Sequence, residues 1–213
     1  MKLVVPGRVI TWTKPGPFGM VLRSYAYRRD DVVVWIDPAM PDDRELAAVE
    51  AFGKPHHVIL TFGGHDRDTE AIRARYGIPV WVPEPERGDR FIKDPEHRYT
   101  WQTELPAGLR PVHIPGVGPG EHAVVGDVEG QRFAFVGDSV LHLEKVPLLG
   151  KLVLRQPRGE LQHKAFYWGG KKQLALKEAK RLLSLELDML FPTHGEPITR
   201  DAKGKLRESL SAW

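Results

Sequence analysis

The chain has no cysteine, which excludes disulfides, thiolate nucleophiles and cysteine-ligated zinc. Any metal must therefore be taken by histidine and carboxylate. Asparagine is absent too. Together with 18 prolines and abundant arginine and glutamate, this composition suits a protein selected against thermolabile side chains, and a thermophilic source is expected. No stretch approaches the ~20 uncharged apolar residues of a membrane-spanning helix, and the first residues form no long apolar leader. A cytoplasmic protein with no membrane partner is expected. The sequence also lacks a GxSxG elbow, a GxxxxGK[ST] phosphate loop and an HExxH pair, so serine hydrolases, P-loop NTPases and zincins are without their minimum parts.

At 213 residues the chain reads as one domain spanning 1–213, long enough to bury a core without staples. Strand and helix patterns alternate along it. Residues 20–27 and 31–36 read as strands, and 45–52 as a short helix closed by Gly53. Residues 57–61 form an apolar strand, 66–76 an amphipathic helix ended by Gly77, and 79–82 the next strand. In the second half, 112–114 is a strand and 115–120 a glycine and proline loop. Residues 122–128 and 131–136 alternate as a hairpin around Glu129-Gly130. Residues 171–183 carry apolar positions at helical spacing, 188–191 is a strand and 200–211 a final helix. The periodicity gives an α/β class, and ligands of such folds commonly bind beyond the carboxyl ends of strands.

The net charge of +3 is small but unevenly placed. Between Glu144 and Arg181 stand Lys145, Lys151, Arg155, Arg158, Lys164, Lys171, Lys172, Lys177, Lys180 and Arg181 against Glu144, Glu160 and Glu178. This stretch reads first as a solvated face. It reads second as a surface for small anionic or phosphate-bearing ligands, with nucleic acid a more distant partner despite Tyr167 and Trp168 among the cations. The sequence does not give the oligomeric state.

Four short stretches at the ends of predicted strands carry the chemistry. They are Thr61-Phe-Gly-Gly-His-Asp-Arg67, Pro115-Gly-Val-Gly-Pro-Gly120, Gly137-Asp138 and Pro192-Thr-His194-Gly195. In order and spacing they resemble the metal-site motifs of the metallo-β-lactamase superfamily: THxHxDH, PGHTPG, GD and a late HG. Ile36-Asp37-Pro38 resembles that family's IDPG turn, and the likeness runs from about Val32 to Ile198. It implies a four-layer αβ/βα sandwich, two mixed sheets flanked by helices.

The resemblance also implies where ligands are missing. Four expected imidazoles fall on Phe62, Gly64, Arg67 and Val117. The family's first metal position keeps only the bridging Asp138, and the second keeps Asp66, Asp138 and His194, with Arg67 in the fourth place. A binuclear zinc centre is therefore not expected, because zinc takes about four donors. The chain holds either no metal or one divalent ion, zinc, manganese or iron, on Asp66, Asp138 and His194. Two carboxylates in that set lean the choice towards manganese, iron or magnesium. His65, on the same loop, and His122 are further candidate ligands, and His142 is a weaker one. Phe62, Gly63, Gly64, Arg67, Asp68 and Val117 would line the site.

Arg67 suggests a second account. A guanidinium cannot ligate a metal but pairs well with carboxylates, so Arg67 beside Asp66 and Asp138 would replace the missing cations. Asp66 and Asp68 also read as acids favoured at a helix N-terminus. Gly63-Gly64 reads as a tight turn or as an anion-binding bend. Two functions follow: a divergent metal-dependent hydrolase of unknown substrate with one weakened site, or a catalytically silent binding or scaffold protein with an Arg67–carboxylate network.

Overall fold

The computed structural model describes residues 1–17, 20–85, 92–115, 120–144, 154–155, 160–164 and 177–211. The first half lays down β1 (Lys2–Val5), β2 (Val9–Pro15), β3 (Val21–Arg29), β4 (Val32–Ile36), α1 (Asp43–Phe52), β5 (His57–Ile59), α2 (Thr69–Tyr76), β6 (Val80–Pro83) and β7 (His97–Tyr99). Its seven strands make one sheet in chain order. It is antiparallel from β1 to β4 and parallel from β4 to β7. The second half adds β8 (Arg110–His113), β9 (His122–Val128), β10 (Gln131–Val136), β11 (Leu154–Arg155), β12 (His163–Lys164), β13 (Met189–Pro192) and α3 (Ala202–Leu210). Four of these strands form a second mixed sheet, ordered β13-β10-β9-β8, while β11 and β12 pair separately. Among the described residues no helix is long and apolar enough to cross a membrane.

The layers follow from side-chain alternation, since successive residues of a strand face opposite ways. Val34 and Ile36 of β4 point between the sheets, where they join Tyr25, Tyr27, Phe133, Phe135 and Phe191. Val33 and Trp35 point outward and pack with Val49 of α1 and Ile72 of α2. In β10, Phe133 and Phe135 face the other sheet, while Ala134 and Val136 face Leu206 and Leu210 of α3. Helix, sheet, sheet and helix thus stack as the resemblance implied. The aromatic layer is tight: Tyr25 and Phe135 lie 5.3 Å apart and Phe133 and Phe191 5.5 Å. Truncating one of these buried rings would cost about 3–5 kcal/mol.

Three differences from the sequence reading have local causes. Strands β1, β2, β7 and the two-residue β11 and β12 had no predicted counterpart. β7 is three residues long, too short to show a period, and the first four residues of β2 are all buried, which hides alternation. The helix expected from residue 66 begins at Thr69, because Gly63–His65 forms a separate 3-10 turn with Asp66 at its end. Of the helix expected over 171–183, residues 171–176 lie outside the described residues, and Lys180–Leu185 is a 3-10 helix. Most of the basic stretch, with Tyr167 and Trp168, also lies outside, as does Val117 with its loop.

Candidate metal site

The parallel pair β10 and β13 supplies the second sheet's share of the site. Their register runs Phe133↔Met189 to Val136↔Pro192, so Asp138 and His194, each two residues further on, emerge side by side at the carboxyl edge. Both glycines in these motifs are required by close approach. A Cβ on Gly137 would stand 2.8 Å from Thr61 Oγ1 and 3.4 Å from His65 Cε1, so a side chain there would push the two sheets apart. Gly195 has φ +106, and its Cβ would meet the carbonyl of His142 at 1.8 Å.

The first sheet contributes His65, from the 3-10 turn after β5. Its Nε2 lies 3.3 Å from His194 Nε2 and 3.5 Å from Asp138 Oδ1, and His194 Nε2 lies 3.3 Å from the same oxygen. All three residues are buried, and among the described residues they form the one group of donors close enough to share an ion. Each imidazole is held from behind. His65 Nδ1 stands 2.8 Å from Asp37 Oδ2, and His194 Nδ1 stands 3.2 Å from the carbonyl of Val21. Asp37 is fixed in turn by Thr61, whose N–H and hydroxyl donate to its two oxygens at 2.7 and 2.5 Å. Metal-binding histidines are commonly oriented in this way, with the second ring nitrogen on a carboxylate or carbonyl.

Charge separates the two rings. Burial alone would lower the pKa of His65, but Asp37 and Asp138 outweigh it and raise it to about 9. The same pairing holds Asp37 below its ordinary value despite complete burial. His194 is shifted down, first by burial and then by the positive charge of His65 and Arg67, with Asp138 opposing. A third carboxyl, Glu121, lies near them and accepts from the N–H of Ser139 at 2.6 Å. Burial, and then the charge of Asp138, pushes it up to about 8. Its Oε2, the Oγ of Ser139, the Oγ1 of Thr193 and the Nε of Arg67 are buried without a hydrogen-bond partner. Orphaned groups of this kind cost free energy unless a ligand or water meets them.

The donor triangle fits a small divalent ion. A tetrahedral ion with ligands at about 2.0–2.1 Å spaces its donors about 3.3–3.4 Å apart and leaves a fourth position open when three are protein atoms. The observed edges are 3.3, 3.3 and 3.5 Å. Two imidazoles and one carboxylate suit zinc or iron better than an oxygen-only set would.

The expected site residues are divided by the structure. Asp138 and His194 meet, and His65 joins them where Asp66 was expected. Asp66 is half-buried, and its carboxylate accepts from the N–H of Arg67 at 3.0 Å, closing its own turn. His122 is held by the carbonyl of Gly120 and packs on Tyr99 and His113. His142 bonds Glu196 and Glu160. Asp68 makes no side-chain cap; it binds Lys14 and the N–H of Met40.

Arg67 corrects an expectation. Its guanidinium donates to the main-chain carbonyls of Arg23, Asp37 and Thr193 at 2.8, 2.5 and 3.2 Å, and pairs with neither Asp66 nor Asp138. It therefore ties strand-end backbone of both sheets together and acts on the carboxylates only through its field. Phe62 is buried, and its ring fills the space beside Gly64, where an added Cβ would meet ring carbon at 2.5 Å. Phe62 and Gly64, the two positions where the resemblance placed histidines, thus fit together as a ring and the room for it. Asp37, Thr61 and Glu121 were not singled out from the sequence. Only the IDP turn, at the same strand edge as the other motifs, could have pointed to Asp37.

No family model matches the chain, and no curated protein matches it. Solved structures do. A metallo-beta-lactamase family protein from Thermus thermophilus superposes with TM-score 0.68 at 17% identity, over 98% of this chain and 79% of that one. TTHA1623 in a di-iron-bound form gives 0.59 at 22% identity, over 89% and 94%. The metallo-beta-lactamase FIM-1 from Pseudomonas aeruginosa in the mono-zinc form gives 0.63 at 14%, over 99% and 94%.

Proposed function

Starting from a chain that has the metallo-β-lactamase fold, we propose that it is a hydrolase dependent on one divalent metal ion held by His65, Asp138 and His194. The convergence of these three donors, with both Nδ1 atoms already fixed by oxygen acceptors, carries the reading. Neighbours of the same fold that carry one zinc or two irons support metal as the ligand class. When bound, such an ion lowers the pKa of a water towards neutrality and polarises the bond to be split. The protein's own groups prepare the site. His194, shifted towards the neutral form, offers its Nε2 lone pair directly. His65 must first release its Nε2 proton, while its Nδ1–H goes on donating to Asp37, so uptake is coupled to proton release. Phe62 packs edge-on against His65 and closes that side with an apolar ring.

Metal analysis of protein purified without chelator tests the proposal: about one equivalent is expected, and its absence overturns it. A second reading, a silent binding or scaffold protein, is supported by the Asp37–His65–Asp138 chain, in which an imidazolium between two carboxylates is already compensated. Metal-free protein that stays fully folded and takes up no added zinc, iron or manganese would favour that reading.

A further inference from the structure

A second candidate site lies on the outer face of the second sheet, at its free edge. Trp101, in the turn after β7, is 63% exposed, an uncommon setting for the largest apolar side chain. It forms a wall shared by two grooves. One, of about 630 Å³, runs past Arg110, Val112 and Arg132; the other, of about 390 Å³, runs past Pro111, His113 and Arg181. Among the described residues neither Arg110 nor Arg132 has an ion-pair partner. Glu104 lines the first groove, and Glu186 stands within the field of Arg132. Arg181 is paired with Glu178.

We propose that these grooves bind single-stranded nucleic acid, with a base stacked on Trp101 and flanking phosphates on Arg110 and Arg132. A surface ring beside cations is an arrangement that tracks a single strand, because every base has a π-face and every linkage a negative charge. Space on both sides of one ring suits a chain of nucleotides rather than a single anion. An added protein strand is disfavoured at this edge, since Pro111 in the middle of β8 has no N–H to pair. Duplex is disfavoured because its bases are already stacked. The site is separate from the His65, Asp138 and His194 cluster, and its test does not depend on hydrolysis.

Fluorescence anisotropy with a labelled single-stranded RNA or DNA of about ten nucleotides, within the usual site sizes, measures the interaction. Trp101→Ala should weaken binding about tenfold or more, and Trp101→Phe should retain most of it. Arg110→Ala combined with Arg132→Ala should lower the slope of log affinity against log salt by about 1.4, from ~0.7 per phosphate contact on a single strand. Each variant should melt near the parent temperature, since all three side chains are exposed. No binding at low salt, binding unchanged in both Trp101→Ala and the double arginine variant, or equal affinity for duplex would each overturn the proposal.

Discussion

The two sides of the candidate metal site are built differently. On the second sheet, Asp138 and His194 follow a pair of parallel strands whose register fixes their separation. On the first sheet, His65 sits in a 3-10 turn between two glycines and a left-handed Arg67 (φ 38), where the direction of each side chain depends on tertiary contacts. On the regular side the structure brings together residues that the sequence motifs pointed to, Asp138 and His194, and on the irregular side His65 turns inward where Asp66 was expected.

The largest effect should come from the regular side. His194→Ala should reduce metal content from about one equivalent to none by elemental analysis, and unchanged stoichiometry would remove His194 from the site. Arg67→Ala should follow on the irregular side. The Arg23 carbonyl loses its donor, while those of Asp37 and Thr193 keep the Ser24 hydroxyl and the Arg23 N–H, and a stability loss of roughly 1–3 kcal/mol in urea unfolding is expected. A loss below about 1 kcal/mol would mean that Arg67 does not join the sheets.

Acid and base should probe the two sides with opposite signs. His163 lies behind Ser139 on the second-sheet side, bonded to its carbonyl and to Ser209, and burial lowers its pKa to about 4. The unfolded chain binds this proton more tightly, so stability is complete above about pH 6.5 and falls as pH drops towards 4, by on the order of 2–3 kcal/mol. His163→Gln should flatten that window in urea midpoints. His65, raised to about 9, contributes in metal-free protein below about pH 6.5 and loses that contribution as pH rises through 9. Chelator-treated protein that gains stability from pH 7 to 9 would contradict the assignment.

Asp37→Asn keeps shape but removes the charge behind His65, and metal affinity should fall about 10- to 100-fold in competition titrations. An unchanged affinity would detach Asp37 from the site. Smallest of all, Gly64→Ala should cost about 1–3 kcal/mol because its methyl meets the Phe62 ring. Phe62→Ala should relieve part of this cost in a double-mutant cycle. Strict additivity would show that positions 62 and 64 are not coupled.

Much of this protein was legible in the chain alone. The hairpin of β9 and β10 falls on the residues its alternation predicts, 122–128 and 131–136, because Glu129-Gly130 marks the turn and each strand has a clear period of two. The α/β class, the strand-end placement of Asp138 and His194, and the exclusion of thiolate chemistry were likewise set by local pattern and inventory. What Arg67 binds, which of the adjacent His65 and Asp66 turns inward, and how Asp37 reaches a histidine 28 residues away were decided only by tertiary structure. Periodicity encodes which face of a regular element is buried, but a turn has no period. There the side-chain directions are chosen by the packing of two sheets, by a ring such as Phe62 filling space, and by the need to satisfy buried charge.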